Sequence, residues 1–433
     1  MFKLKNSVAL VLCAAILASS VAGCSSPTSS ASSVKSTGSA TASNVSSTGT
    51  MEFWFDKGAD QEINDRLAAA WKSDSGIDIK VTNYPDTAAY QTAIQQSIDQ
   101  PTAPGLFTWW SGPQLETLVK NGKVADLTDE WKNYIAAGVS PDIEKAFTID
   151  GKAYAAPYSI LYNTCLYNKT VFEKAGVKEV PKTFDEFLAA CEKIKQSGVT
   201  PIGLKNDSWA SFIWFEAILA SYDPQLYKDI CTGAKKYNDP EMKKIFEVWK
   251  GMFDKGYFAK PVLYSDLYRD FAKGQTAIML EASPTASSLV KDYGMVSGQT
   301  LDAFVLPSVK ADSKSVIFFE ASPLCVAQNS KSKDTAIAAL SNFYKPATQK
   351  VMVNDNGIAN TGSVAIEDKT IQNIVNMSAD SSKYELILRY YENTPSDVRD
   401  VALTAIAKFM DGAASVDDTL NTIQAKADTV FKK

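Results

Sequence analysis

The sequence contains no histidine and only four arginines. The absence of histidine excludes Ser–His–Asp triads, histidine general bases and zinc-binding helices with paired histidines. The formal net charge is −5. A mildly acidic surface does not suit nucleic acid or anionic lipid, which need clustered Lys and Arg. Metal-dependent or nucleophilic chemistry would therefore depend on carboxylates or cysteine.

Several catalytic and cofactor motifs are also missing. The sequence has no Walker loop, GxGxxG, GxSxG or cluster of metal ligands. Residues 354–357 share Asn, Asp and Gly with a calcium loop, but the rest of the twelve-residue pattern is absent, so we interpret them as a turn. Glu281 and Glu320 are carboxylates of the kind that a glycosidase uses, although their spacing does not show that they meet.

The six cysteines form no CxxC pair. Two of them lie in the first 24 residues, and the other four are far apart in the sequence. We interpret those four as buried thiols, and the sequence leaves a disulfide open. They are Cys165, Cys191, Cys231 and Cys325.

The first fifty residues predict export followed by a tether. Residues 1–23 combine two lysines with a short apolar run, which is typical of a signal peptide and too short to span a bilayer comfortably. Residues 21–24 read Val-Ala-Gly-Cys and resemble the lipobox of bacterial lipoproteins, which implies cleavage before Cys24 and lipid on its sulfur. Residues 24–50 form a Ser/Thr-rich tether. A plain signal peptide or a cell-wall spacer is the alternative.

Apolar periodicity through the rest of the chain predicts alternating strands and helices, and therefore an α/β fold with a parallel sheet. Thr183 and Glu186 form a capping box at the start of one helix. The predicted strands are 51–55, 77–81, 106–110, 155–167, 276–280, 301–306 and 316–319. The predicted helices include 63–71, 90–98, 115–119, 187–194, 242–253, 336–344 and most of the chain from 398 onward.

Seven segments resemble, in order and spacing, the family 1 extracellular solute-binding proteins, which include maltose-binding and multiple-sugar-binding proteins. Each segment is weakly specific alone, and the series covers nearly all of residues 50–433. The segments are FWFDKG (53–58), PGLFTWWSG (104–112), VADLT (124–128), DGKAYAAPY (150–158), LYNK (166–169), VPKTFDEF (180–187) and FAKGQTAIM (271–279).

The resemblance implies a two-lobed, type II periplasmic-binding-protein-like α/β fold, with a ligand cleft between lobes joined by crossing strands. The crossings are expected near 155–166 and 305–318 and after about 360. The expected lobes are 51–160 plus 312–360 and 161–311 plus 361–433. The implied partners are a small-molecule ligand of the oligosaccharide class, the ABC permease subunits, and the membrane through the lipid anchor. No cofactor, metal, nucleic acid or catalytic activity is implied.

Aromatic rings pack on the apolar faces of sugars, while carboxylates and amides bond their hydroxyls. Side chains alternate along a strand, so only one of Trp109 and Trp110 is expected to face the cleft. Many family members carry a tryptophan soon after the strand that ends here at Leu280, whereas this chain has EASPT at 281–285, which leaves the sugar open. The predicted ligand-binding residues are Asp56, Trp109, Trp110, Ser111, Tyr158, Tyr162, Asn163, Trp209, Trp214, Glu281 and Glu320.

Other functions remain compatible with the sequence. The same fold could bind a polyamine, a peptide or a sugar acid, and the acidic candidates favour neutral or cationic ligands. A secreted glycan-degrading enzyme would need two carboxyl groups at catalytic separation. A sensor accessory that reports ligand to a receptor is a further alternative.

Overall fold

The computed structural model describes residues 49–56, 61–84, 86–206, 210–310, 313–361 and 364–432. The predicted signal peptide, Cys24, most of the tether and Trp209 lie outside these ranges. No helix within them is long and apolar enough to cross a membrane.

Strands and helices alternate along the chain, as the apolar periodicity predicts. The strands are β1 Thr50–Phe55, β2 Asp78–Asn83, β3 Leu106–Thr108, β4 Thr148–Ile149, β5 Lys152–Ala153, β6 Ala156–Asn168, β7 Thr200–Ile202, β8 Thr276–Ala282, β9 Leu301–Phe304, β10 Ser315–Val326 and β11 Tyr384–Leu388. The helices are α1 Gln61–Ser75, α2 Thr87–Ser97, α3 Pro113–Lys120, α4 Trp131–Ala136, α5 Pro141–Glu144, α6 Lys169–Lys174, α7 Phe184–Gln196, α8 Phe212–Tyr222, α9 Pro224–Thr232, α10 Pro240–Asp254, α11 Tyr264–Ala272, α12 Pro284–Tyr293, α13 Lys333–Phe343, α14 Pro346–Asn356, α15 Lys369–Ala379, α16 Tyr390–Asn393, α17 Ser396–Met410 and α18 Val416–Val430.

Local sequence signals explain how several helices begin and end. The Thr183 hydroxyl accepts a hydrogen bond from the Glu186 N–H at 3.1 Å, and the Glu186 carboxylate accepts one from the Lys182 N–H at 2.7 Å. The capping box therefore opens α7, with its return bond one residue earlier than in the usual pattern. Gly357, at φ 64°, caps α14, so residues 354–357 form a helix end. The described residues contain no acidic or thiol cluster suited to a metal.

Nine strands of the described chain form one sheet in the order β2-β1-β3-β10-β6-β8-β7, with β11 beside β10 and β9 beside β6. Strand β1 pairs in parallel with β2 and β3, which confirms the predicted parallel α/β layer. Strands β6 and β10 run antiparallel to each other through the middle of the sheet. Strand β10 also pairs with β3, and β6 also pairs with β8. The two crossing strands therefore join the β2-β1-β3 part of the sheet to the β8-β7 part.

Four predicted strand ends need correction, and one of them is β9, which ends at Phe304 rather than at residue 306. Strand β10 continues to Val326 rather than ending at Phe319, so the second crossing uses residues 315–326. The apolar run is interrupted by Glu320 and by Pro323, which has no N–H and sits at a register shift. Strand β8 continues to Ala282, which places Glu281 inside a strand, and β3 stops at Thr108, before the two tryptophans.

The buried side chains of the described residues form two hydrophobic cores. In the first core, the Trp71 ring contacts Phe53 and Phe343, with ring centroids 5.6 and 4.7 Å away, and its indole N–H donates to the Ala339 carbonyl at 2.8 Å. The second core includes Trp249, packed 5.0 Å from Phe409. The first core also takes in α11, α12 and α15, which the sequence assigned to the second lobe.

Cys165, Cys191, Cys231 and Cys325 are all free and buried, which confirms the interpretation of these four residues as buried thiols. Burial raises the pKa of each thiol, to about 12 for Cys231. A buried, protonated thiol is a poor nucleophile.

We therefore expect the native protein to resist thiol-modifying reagents. In a chain that starts at residue 25, an aromatic disulfide reagent at mildly alkaline pH should label none of the four thiols within minutes. The same chain in concentrated guanidinium should release four equivalents of chromophore, which serves as the control. Rapid labelling of the native chain would contradict the burial seen here.

Candidate functional site

An aromatic wall forms where β3 ends. Its rings are Tyr90, Trp109 and Trp110, with the two indoles 5.1 Å apart at 73° and the tyrosine ring 6.3 and 6.2 Å from them. The Tyr90 hydroxyl donates to the Thr108 carbonyl at 2.5 Å, while the backbone N–H of Trp109 donates to the Pro323 carbonyl at 3.0 Å. Trp109 is only 5% exposed and Trp110 is half-buried, so Trp110 presents the accessible face of the wall.

Asp56 lies beside this wall, directly after β1. Its two carboxylate oxygens accept hydrogen bonds from the hydroxyls of Thr108 and Thr87, at 3.3 and 3.4 Å. The carboxyl ends of parallel strands meet at one edge of the sheet, which is why β1 and β3 bring these residues together although they are about fifty positions apart. Asp56 therefore lies at the same edge of the sheet as Thr108, which is two residues before Trp110.

The middle of the crossing strands forms a partly open floor. Leu161 of β6 lies directly opposite Glu320 of β10. Both side chains are partly exposed, with 21% of the Glu320 side chain accessible, whereas their neighbours along each strand are buried. Ser322, two residues further on the same face, donates its hydroxyl to Glu320 at 3.4 Å. The surface that the crossing strands leave accessible is therefore centred on this pair.

Tyr158 and Tyr162 do not belong to this floor. Tyr162 directly follows Leu161 and points to the opposite face of β6, while Tyr158 lies at the register shift between β6 and β10. Tyr158 packs in the first core, 5.8 Å from Phe53 and 5.9 Å from Phe343 by ring centroids, and its exposed fraction is 5%. Burial raises the pKa of Tyr162, and its hydrogen bond with Ser378 opposes that rise. Strand alternation places Tyr162 away from Glu320, and core packing buries Tyr158, so we leave both tyrosines out of the proposed site.

Arg389 and Glu392 complete the floor, and the sequence reasoning missed both. Arg389 Nη2 lies 2.7 Å from a Glu320 oxygen and 2.6 Å from a Glu392 oxygen, and its Nε donates to Glu392 at 3.0 Å. Burial lowers the pKa of Arg389, but the carboxylates of Glu320 and Glu392 raise it by more than burial lowers it. The pKa of Arg389 therefore lies above its ordinary value. The sequence did offer one signal for this residue. Arg389 is one of only four arginines, it directly follows the apolar segment 384–388, and it stands three residues before Glu392.

Glu281 is buried and lies opposite Thr164 of β6, on the face of that strand that points away from Leu161 and Glu320. It forms an ion pair with Lys205 at 2.8 Å, with side chains 5% and 9% exposed. The Tyr268 hydroxyl donates to the same carboxylate at 3.4 Å and lies 3.3 Å from the Thr285 hydroxyl. Tyr264, one helical turn before Tyr268, is 56% exposed, and the two ring centroids are 5.9 Å apart. This tyrosine pair was also missed; its i, i+4 spacing on α11 was the signal.

Two other candidates face inward. Trp214 lies in the second core, stacked 6.4 Å from Phe187 and edge-on to Phe258 at 5.3 Å, because α8 is apolar on nearly every face. The Asn163 amide lines a small internal cavity with Glu216. Packing therefore accounts for Trp214, and we leave both residues out of the proposed site.

Ser111 and Gly112 connect the aromatic wall to the floor. Ser111 is 4% exposed and follows Trp110 directly. Gly112 precedes α3 with φ 71° and ψ −142°, and a Cβ atom there would lie 2.0 Å from the Glu392 carbonyl oxygen. Only glycine fits this approach, which brings the wall segment against α16.

Replacing Gly112 with alanine should therefore destabilise the protein more than the same change at an unconstrained glycine. We expect Gly112→Ala to lower the free energy of unfolding by about 2 kcal/mol or more. Gly122 is the matched control, because its φ is 65° and a Cβ there meets nothing within 4 Å. Gly122→Ala should cost about 1 kcal/mol. Urea unfolding followed by tryptophan fluorescence measures both, and equal losses would contradict the Gly112 contact.

Comparisons with known proteins agree with this architecture. The family described as bacterial extracellular solute-binding protein matches residues 66–379. Diacetylchitobiose binding protein DasA of Streptomyces coelicolor is 28% identical over 274 residues, which span 60% of this chain and 62% of DasA. A solved chitin oligosaccharide binding protein superposes with a TM-score of 0.74 at 19% identity, over 89% of this chain and 100% of its own. RafE from Streptococcus pneumoniae gives 0.73 at 18% identity, over 90% and 100%. The chain therefore has the two-lobed α/β fold of these proteins and belongs to the bacterial extracellular solute-binding protein family.

Proposed function

We propose that this protein is the solute-capture lipoprotein of an ABC importer, and that it binds a neutral oligosaccharide between the aromatic wall and the floor of the crossing strands. Cys24 carries the lipid anchor, and residues 24–50 form the tether outside the membrane. The ligand is delivered intact to the permease subunits.

The observation that carries the proposal is the charge balance beside an accessible indole. Arg389 is paired with both Glu320 and Glu392. This cluster offers hydrogen-bond donors and acceptors with little net charge, which suits sugar hydroxyls. A polyamine would have to compete with the resident arginine for its carboxylates, and a sugar acid would meet those carboxylates. The half-buried ring of Trp110 supplies the apolar surface for a sugar face.

The related proteins suggest which sugars to test first. The names of two similar proteins specify diacetylchitobiose and chitin oligosaccharides. We therefore propose short oligosaccharides, with N-acetylated chitin fragments as the first group in a wider panel. Their uncharged amide and hydroxyl groups match the balanced charges of the floor.

Delivery follows from differential binding. A ligand that contacts both the wall and the floor stabilises whichever arrangement brings them together, and this arrangement is what the permease would recognise. The proposal includes no bond cleavage, because a glycosidase needs an acid and a second carboxylate at the scissile bond. Glu281 and Glu320 are instead held by cations.

Replacing Trp110 with alanine should weaken sugar binding by about tenfold or more, which corresponds to about 1.4 kcal/mol. The reason is the loss of the ring that packs on the sugar. Calorimetry against the glycan panel, with the products analysed afterwards, measures affinity and any turnover.

Tyr222→Ala is the control for this variant. Tyr222 is also half-buried and packs on one ring, Phe184 at 5.5 Å, but it lies in the second core region. The Tyr222→Ala variant should bind the glycan with the same affinity as the wild-type protein. Unchanged binding by the Trp110 variant would refute the proposed wall, and cleaved glycan would refute capture without catalysis.

A further inference from the structure

Tyr84 lies at the same edge of the sheet as Asp56, on the neighbouring strand. It directly follows β2, and its backbone N–H donates to the Phe55 carbonyl at 2.8 Å. The parallel register of β1 and β2 pairs Phe55 with Asn83. Tyr84 therefore stands level with Asp56, the residue that follows β1.

The ring of Tyr84 belongs to an aromatic series that includes the wall. Its centroid lies 5.4 Å from that of Tyr90 and 5.5 Å from that of Trp54. Tyr90 is buried and also contacts Trp110, with ring centroids 6.2 Å apart. Tyr84 and Trp54 are half-buried, as Trp110 is. The carboxyl edge of the sheet thus carries partly accessible rings beyond Trp110.

The strands separate the two ends of this series. Strand β1 lies between β2 and β3. Neighbouring strands are about 4.8 Å apart, so the ends of β2 and β3 are about 10 Å apart. Tyr84 and Trp110 are therefore offered from strands on either side of the strand that ends at Asp56. This spacing suits more than one ring of a sugar chain.

Polar groups with balanced charge flank the pair of Tyr84 and Trp54. The Trp54 indole N–H donates to one Glu52 oxygen at 3.0 Å, and Lys80 donates to the other at 2.9 Å. The Glu52 and Lys80 side chains are 39% and 66% exposed. Burial and the charge of Glu52 raise the pKa of Tyr84, so its hydroxyl stays protonated and can donate a hydrogen bond. The pair combines ring faces with hydrogen-bonding groups, which is the combination that a neutral sugar needs.

We propose that Tyr84 is a second aromatic subsite, which takes a further ring of an oligosaccharide whose first ring packs on Trp110. This inference rests on the proposed function and narrows it, because the protein then selects a sugar chain over the single sugar. Trp54 supports the Tyr84 ring, and Glu52 fixes the Trp54 indole. Asp56, between the two subsites, accepts hydrogen bonds from the sugar hydroxyls.

Calorimetry with glycans of different length tests the subsite. The probes are the tightest glycan of the panel and its monosaccharide unit, whose weaker binding is measured by competition with that glycan. We expect Tyr84→Ala to lower the ratio of oligosaccharide to monosaccharide affinity by about tenfold, because only the oligosaccharide loses a ring contact. Tyr84→Phe keeps the ring and should keep most of the ratio. Trp110→Ala should weaken the binding of both probes.

Tyr222→Ala is the matched control, because Tyr222 is also half-buried and packs on one ring, that of Phe184. It should keep the wild-type ratio. A ratio that Tyr84→Ala leaves unchanged, or that Tyr222→Ala lowers equally, would overturn the subsite. The proposed function would survive that result if Trp110→Ala still weakened binding. A wild-type protein that binds no glycan would overturn both.

A second measurement leaves the Tyr84 ring in place. In the full chain labelled with fluorotyrosine, the fluorine NMR signal missing from Tyr84→Phe identifies Tyr84, and Tyr222→Phe identifies Tyr222 in the same way. The Tyr84 signal should shift when the oligosaccharide is added and stay in place with saturating monosaccharide. The Tyr222 signal should stay in place with either probe. A Tyr84 signal that ignores the oligosaccharide, or that responds equally to the monosaccharide, would overturn the subsite.

Discussion

The antiparallel register between β6 and β10 is the constraint on which the rest of the site depends. It sets Leu161 opposite Glu320. Because side chains alternate, the same register turns Tyr162 to the other face and into buried packing, and Tyr158, at the register shift, is buried as well. A slip of one residue would exchange the two faces completely. The composition of the accessible floor is thus decided by backbone pairing, and the cores packed against the strands hold that pairing in place.

Ion pairs determine the chemical character of the surface built on that register. Arg389 connects Glu320 of β10 to Glu392 of α16, and the carbonyl of Glu392 contacts Gly112 next to the aromatic wall. Removal of the arginine would leave carboxylates unpaired in a mostly buried setting, which is costly. Lys205 neutralises Glu281 in the same way on the opposite face of β6. The Arg389 cluster keeps the site polar without a large net charge, which is the property that a receptor for a neutral, hydroxyl-rich ligand needs.

Much of the fold was predictable because its signals are local. Apolar spacing located α1, α7 and α10, and the family segments indicated the two-lobed architecture. The second half of β10 was missed because Glu320 and Pro323 break the apolar run, although pairing with β6 holds the strand together.

The site was less predictable. Arg389 meets Glu320 across 69 positions of sequence, and no local pattern reports such a contact. The sequence also could not show that Tyr158 and Tyr162 are buried while Leu161, on the same strand, stays partly exposed.

The most direct test of the proposed site is a crystal structure of the protein with the tightest ligand from the glycan panel. Our account predicts a sugar ring packed against Trp110, with a hydroxyl within about 3.2 Å of Glu320 or Arg389. It also predicts that Tyr158 and Tyr162 remain in their packed positions without touching the ligand. A ligand bound on the tyrosine face of the crossing strands, or away from both Trp110 and Glu320, would contradict it.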